Sequence, residues 1–298
     1  MRILLFGKNG QLGWELHRSL QPLGEVFALD RGQADFSKPE SLRNIVSEIR
    51  PDVIVNAVAY TAVDKAENEE SQALTVNAES PEVLAEEALK SNALLVHFST
   101  DYVFDGSKDR PYVETDATGP VNAYGRTKLA GEDSIKSSGC DYLIFRASWV
   151  YASRGNNFLL TILNSAKQRN ELGVVSDQEG SPTSARLLAD TTSLCVSQSM
   201  IERKEGKFLP GIYHVAASGR ASWFVFANEI MLAAGDELDV QFKSKIINAI
   251  PTAAYPTVAK RPVNSQLKTD KIQNRFKVVM PDWKNTLRLC IKEVGLYY

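Results

Sequence analysis

Tyr124 and Lys128 stand four residues apart in Tyr124-Gly125-Arg126-Thr127-Lys128. On a helix this spacing places both side chains on one face, one turn apart. A tyrosine hydroxyl, with a reference pKa of about 10, is a poor acid at neutral pH. A nearby ammonium stabilises the phenolate, so that the hydroxyl can protonate a developing alkoxide. Lys128 could also hold the ribose of a nicotinamide nucleotide. No other of the ten tyrosines has a lysine four residues on. A third group stands earlier, where Ser99-Thr100-Asp101 ends an apolar run. Thr100 could donate a hydrogen bond to a substrate carbonyl and share it with Tyr124. An ordinary β-branched strand end followed by an Asx turn accounts for the same residues.

A second constellation opens the chain. Gly7-Lys8-Asn9-Gly10-Gln11-Leu12-Gly13 follows one apolar run and precedes an amphipathic one, with the spacing G-x-x-G-x-x-G. Glycine permits the tight turn and lets backbone approach a pyrophosphate, and a helix beginning there offers free N–H groups to the anion. Asp30 closes the next apolar run, where an acidic residue accepts from an adenosine ribose; this favours NADH, because a carboxylate repels a 2′-phosphate. Arg31 beside it can neutralise that repulsion, so NADPH and NADH both stay open.

These residues need a scaffold, and the hydrophobic pattern provides one. Strands are expected at Arg2–Phe6, Glu25–Leu29, Val53–Ala57, Leu94–Ser99 and Tyr142–Arg146. Helices are expected at Leu12–Leu20, Pro39–Glu48, Ser71–Leu89 and Tyr124–Ile135. Such alternation predicts an α/β protein, a Rossmann-type doubly wound parallel sheet with helices on both faces. After Trp149 the alternation lapses. Helices are expected at Asn156–Ala166, Ser184–Val196, Ser222 to about Ala234 and Asn285–Val294, with one more buried strand at Gly211–Ala216. We therefore expect a dinucleotide-binding domain over 1–150, with 174–218 returning to it. A smaller C-terminal substrate-binding domain is expected from 151–173 and 219–298.

Composition excludes several classes. At 298 residues the chain exceeds a usual single core, and a net charge of −2 leaves no nucleic-acid footprint. No apolar run approaches the roughly 20 residues that span a bilayer. Three scattered cysteines, Cys140, Cys195 and Cys290, form neither a metal spacing nor a disulfide framework, which fits a reducing cytoplasm. The three histidines are not near one another in sequence.

Gly7-x-x-Gly10-x-x-Gly13, Ser99-Thr100-Asp101-Tyr102-Val103-Phe104 and Tyr124-x-x-x-Lys128 together resemble an extended short-chain dehydrogenase/reductase. More narrowly, the whole chain resembles the dTDP-4-dehydrorhamnose reductases. The supporting segments are Asp64-Lys65-Ala66-Glu67, Phe145-Arg146-x-Ser148-Trp149-Val150-Tyr151, Gly155-Asn156-Asn157-Phe158, Gly180-Ser181-Pro182-Thr183 and Arg261-Pro262-x-Asn264-Ser265-x-Leu267. The resemblance implies hydride transfer from NADPH or NADH to the C4 keto carbon of dTDP-4-dehydro-β-L-rhamnose. It implies Tyr124 as proton donor, Lys128 lowering its pKa and Thr100 polarising the carbonyl. Asp101 and Trp149 would touch the sugar, and Arg261 would clamp the diphosphate. Asp35-Phe36 and Ala59-Tyr60-Thr61 would flank the adenine and ribose.

The resemblance also carries Mg²⁺ shared between subunits through acidic residues, for which Glu15 is the candidate; around Arg186, where a second carboxylate is expected, the chain reads as basic. Nucleotide-sugar 4,6-dehydratases carry a glutamate where Tyr102 stands here, which disfavours elimination. A 4-epimerase would retain its cofactor and has a different loop after the strand. A reductase of another nucleotide-linked 4-keto sugar and a non-catalytic nucleotide-binding regulatory subunit stay as alternatives. The expected partners are a nucleotide sugar and, for a homodimer rather than a monomer, a second copy of the chain.

Overall fold

The computed structural model describes residues 1–244 and 246–296. The first half alternates as the apolar pattern requires. Strand β1 (Arg2–Phe6) leads into helix α1 (Gln11–Ser19), β2 (Glu25–Leu29) into α2 (Ser41–Ile49), and β3 (Val53–Asn56) into the short helices α3 (Val63–Ala66) and α4 (Glu70–Leu74). A π-helical stretch, Thr75–Glu79, joins α4 to α5 (Ser80–Ser91), followed by β4 (Leu94–Thr100), α6 (Ala123–Ser137) and β5 (Asp141–Ala147).

The single helix expected over Ser71–Leu89 is thus interrupted. Pro81 lies at the start of α5, where its missing N–H costs least. The extra residue of the π turn carries the Asn77 carbonyl against α6; a Cβ at Gly131 would meet that oxygen at 2.1 Å.

The second half holds β6 (Val150–Tyr151), α7 (Phe158–Gln168), β7 (Glu171–Val175), β8 (Glu179–Gly180), β9 (Thr183–Ser184) and α8 (Ala185–Lys204). It continues through β10 (Gly211–Val215), β11 (Ala221–Ser222), α9 (Trp223–Glu237), β12 (Ile246–Ile250), α10 (Asp270–Phe276) and α11 (Trp283–Gly295).

The main sheet has the order β10-β5-β4-β3-β1-β2. Every neighbouring pair in it is parallel. The chain first winds from β1 to β2, then crosses back to β3 on the other side of β1. That reversal leaves a crevice outside the carboxyl ends of β1 and β3, where open α/β sheets bind ligands. Register sharpens it, because Phe6 pairs with both Leu29 and Asn56 and the three strands end at one level.

Alternate side chains enter two cores. Ile3, Leu5, Val53, Val55, Leu94 and Val96 face Leu16 of α1, Leu188 and Val196 of α8, and Ile272 and Phe276 of α10. Leu4, Phe6, Ile54, Leu95 and Ile144 face Leu42 of α2, Val83 and Leu84 of α5, and Ile135 of α6. A separate core gathers Leu159 and Leu163 of α7, Phe226 and Ile230 of α9, and Leu287 and Ile291 of α11.

Candidate active site

The glycine turn is built by close approaches. Gly7 has φ +89°, and its N–H donates to the Leu29 carbonyl at 2.9 Å, tying the turn to the end of β2. A Cβ at Gly13 would lie 1.9 Å from the Gly7 carbonyl oxygen, so helix α1 can sit against the turn only with glycine there. At Gly10 a Cβ would meet only that oxygen, at 3.3 Å. Gly10 begins α1 with no side-chain cap, which leaves first-turn N–H groups for an anion.

A cleft of about 330 Å³ runs from this turn across the crevice, lined by Gly7, Gly10, Asp30, Arg31, Asp35, Phe36, Ala59 and Tyr60 among others. Seven of the residues expected to hold the cofactor therefore share one cavity. Asp30 accepts from the N–H groups of Gly32 and Gln33 at 3.0 and 3.3 Å and pairs with Lys8 at 3.4 Å. Desolvation pushes its carboxyl up, but the Lys8 ammonium and those N–H groups prevail and hold it below the usual range. Asp35 is engaged locally, accepting from the Ser37 N–H and hydroxyl at 3.0 and 2.8 Å. Phe36 is buried with its ring edge against Phe6.

The other six, Gln11, Leu12, Gly13, Thr61, Tyr124 and Lys128, fall outside the cavity wall. Leu12 packs into the core, Gly13 supports the turn from behind, and Thr61 is exposed. Gln11 reaches the second half of the chain, donating to the Asn156 carbonyl at 3.2 Å and accepting from the Asn157 amide at 2.9 Å.

Tyr124 and Lys128 lie in the first turns of α6, which Asn122 caps by accepting from the Gly125 N–H at 2.8 Å. Burial pushes the Tyr124 hydroxyl up to about 12, with the Thr100 hydroxyl pulling it down and the Asp101 charge pushing it up. Its ring meets Tyr102 edge-on, at 5.9 Å, and packs in one cluster with Tyr60 of the cleft. Lys128 turns into the sheet instead, donating to the Phe98 carbonyl at 2.6 Å and lying 3.2 Å from His97 Nε2. Desolvation takes its pKa down to about 8, against the Glu132 charge, which raises it.

Thr100 donates to Asp101 Oδ1 at 2.9 Å and accepts from the Tyr102 N–H at 3.2 Å. Asp101 itself is buried, with Ser148 donating to its other oxygen at 2.9 Å. Desolvation pushes its carboxyl up to about 6, opposed by hydrogen bonds from Ser265, Thr100 and Ser148.

A second cleft, of about 380 Å³, is lined by Phe158, Arg169, Gln178, Trp223, Tyr255 and Arg261 among others. Arg261 pairs with Asp64 at 3.2 Å, while its buried Nε finds no partner among the described residues. Trp149, at φ +48°, stacks flat on Trp223 of this wall, with ring centroids 3.4 Å apart. A Cβ at Gly180 would strike the Trp149 indole at 2.4 Å.

Glu15 is fully engaged by Arg18 and Arg186, at 3.2 and 3.1 Å. Two carboxylates that the sequence reading did not weigh, Asp190 and Glu293, reach the same patch and pair with these same arginines. Among the described residues no group of three or more His, Cys, Asp or Glu is disposed to hold a metal, and Glu15, Asp190 and Glu293 are each paired with an arginine.

Several supporting residues escaped sequence reasoning. Glu132, one turn beyond Lys128, takes a bidentate bond from Arg146 of β5, at 2.9 and 2.6 Å, and accepts from Ser99 of β4 at 2.5 Å, seating α6 on the sheet. Asn77 accepts from the Tyr60 N–H at 2.9 Å and donates to the Tyr60 carbonyl and to Thr127 at 3.2 and 3.1 Å, so the π turn ties the cleft to α6. The i, i+4 spacing from Lys128 is a signal that could have found Glu132; for Asn77 the sequence holds none.

The family model for the RmlD substrate binding domain matches residues 1–296. A dTDP-4-dehydrorhamnose reductase of Burkholderia thailandensis is 48% identical over 296 residues, covering 99% of each chain. The crystal structure of a dTDP-4-dehydrorhamnose reductase from Clostridium acetobutylicum superposes with a TM-score of 0.88 at 36% identity, covering 99% of both chains. That of the Bacillus anthracis reductase in complex with NADP gives 0.86 at 34% identity, covering 98% of this chain and 99% of that one. With its doubly wound sheet, its glycine turn and this likeness along nearly its full length, the chain belongs to the dTDP-4-dehydrorhamnose reductase family.

Proposed function

We propose that the chain reduces the C4 keto group of dTDP-4-dehydro-β-L-rhamnose to give dTDP-L-rhamnose, using NADPH or NADH. The observation that carries this reading is the position of Tyr124. Its hydroxyl is buried and keeps its proton at neutral pH, and its ring packs on the same small core, of Ala66, Ala73 and Ala123, as Tyr60 of the nucleotide cleft. Tyr102 meets the Tyr124 ring edge-on.

A bound nicotinamide supplies the hydride. As the C4 carbonyl accepts it, the C=O electron pair moves to oxygen, and that oxygen takes the Tyr124 proton. Thr100 lowers the pKa of the acid, and Asp101 holds Thr100 in place by accepting from its hydroxyl. The first cleft fits a dinucleotide, with its open face at Gly10 and uncapped helix start for the pyrophosphate. In the second, Arg261 with its unpartnered Nε and Arg169 suit the diphosphate of a nucleotide sugar, and the aromatic wall suits the base.

The test follows NADPH and NADH oxidation by absorbance, with dTDP-4-dehydro-L-rhamnose generated in place. Oxidation that needs both sugar and protein, and falls at least about a hundredfold in Tyr124→Phe while cofactor affinity is kept, is expected. Undiminished turnover in Tyr124→Phe removes that residue from the acid role. Tight cofactor binding without oxidation of either nucleotide points to another sugar or to a regulatory subunit.

A further inference from the structure

Asn122 does more than cap α6. Its Oδ1 accepts from the Gly125 N–H at 2.8 Å, and its Nδ2 donates to the Lys260 carbonyl at 2.8 Å. The carboxamide is buried, and each end faces the partner it suits. Aspartate and serine cap a helix as well as asparagine does, but neither carries an NH₂ to reach a second carbonyl. The cap alone therefore does not account for this residue.

The neighbours of Lys260 are held by the same half of the chain. Asp64 of α3 accepts from the Ala259 N–H at 3.0 Å and from Arg261 Nη2 at 3.2 Å. Pro262 lies against Gly106, where an added Cβ would meet the proline at 2.5 Å. Glu67, at the end of α3, accepts from the Ala123 N–H at 2.7 Å, which ties α3 to the first residue of α6. The start of α6, α3 and residues 259–262 are thus joined in a ring, and Asn122 is the side chain that binds helix and segment at once.

We propose that Asn122 is a positioning residue, which fastens the Lys260 carbonyl to the start of the Tyr124 helix and so presets Arg261 to clamp the diphosphate of the nucleotide sugar.

Both ends of the link bear on the reaction. Tyr124 follows Asn122 by two residues, and Arg261, next to Lys260, lines the second cleft. An arginine on an untethered segment has to be immobilised by the ligand itself, which lowers affinity; a segment already fixed avoids that loss. The assignment rests on the reductase reading, in which Arg261 meets the diphosphate, but binding tests it as well as turnover.

The probe is dTDP, titrated by calorimetry into the full-length protein saturated with NADPH. Asn122→Ser keeps a cap oxygen for Gly125 and withdraws the NH₂ from Lys260. It should weaken dTDP roughly fivefold and leave NADPH affinity unchanged. In an Arg261→Ala background the same change should weaken dTDP no further, because the residue it acts through is gone. A role confined to holding the fold would lower affinity by the same factor in both backgrounds. With dTDP-4-dehydro-L-rhamnose generated in place, KM should rise while kcat changes little. No dTDP binding by the parent, undiminished binding by Asn122→Ser, additive losses, a matching loss of NADPH affinity or a fall confined to kcat overturns the inference. Asn122→Thr, another cap without an NH₂, replaces the serine variant where that one does not fold. Failure of both to fold gives Asn122 to stability alone and overturns it too. Additive losses in a protein that reduces the sugar leave the function standing, whereas coupled losses in a protein without reductase activity sink the function and keep this inference.

Discussion

Replacing Asp101 by asparagine should remove a pH dependence that the fold builds in. Burial pushes the Asp101 carboxyl from 3.8 to about 6, against the hydroxyl groups that hydrogen-bond it. The folded state therefore binds this proton more tightly than the unfolded chain does. The stability so gained is fully present below the unfolded value and is lost as the pH rises through about 6. With ~1.4 kcal/mol for each tenfold difference in proton affinity, the loss amounts to ~3 kcal/mol between the two limits. The asparagine of Asp101→Asn cannot titrate, but its carbonyl still accepts from Thr100, and its amide faces a Ser148 hydroxyl able to turn and accept. Urea unfolding of both proteins across a pH series gives the comparison. The stability of the parent relative to Asp101→Asn should fall by ~3 kcal/mol from acid to neutral pH. Parallel stability curves for the two would refute the reasoning, because they would mean that the carboxyl titrates alike in both states.

The glycine turn predicts two different failures. Gly13→Ala forces a methyl into the Gly7 carbonyl and should lower stability by ~3 kcal/mol, read as a lower urea midpoint; an unchanged midpoint would show that the contact relaxes freely. Gly10→Val should keep the fold and lose NADPH binding in a fluorescence titration, and normal affinity would count against the phosphate role. Arg31, beside Asp30 in the cleft, should favour a 2′-phosphate, so Arg31→Ala should weaken NADPH roughly tenfold while sparing NADH. Equal losses for the two nucleotides would place Arg31 elsewhere.

The sheet was legible because its inner strands β1, β3 and β4 are buried on both faces and flanked by helices, which leaves a largely apolar run at each. The glycine turn was legible because backbone crowding demands glycine at fixed spacing. What stayed hidden depends on contacts distant in sequence. Helical spacing puts Lys128 and Tyr124 on one face but does not reveal that the Lys128 amine, buried, donates to the Phe98 carbonyl and lies beside His97. The Thr100 hydroxyl donates to Asp101, next in sequence, a contact that residue types alone did not disclose. Glu15 is met by Arg186 of α8, a pairing across 171 residues that spacing does not announce. The break at Thr75–Glu79 was invisible because Asn77 and Gly131, whose close approach accompanies it, are far apart in sequence.

The Trp149–Trp223 stack gives the molecule a built-in optical reporter. Two indoles lying flat at 3.4 Å couple their transitions, so their near-ultraviolet circular dichroism belongs to the pair and to neither ring alone. One ring follows the last strand of the first half, and the other begins α9, whose core lies off the main sheet. A ligand that slides or parts the rings would change the sign or size of that signal before any hydride moves. Arrival of the sugar could then be timed in unlabelled protein, apart from the chemistry that follows.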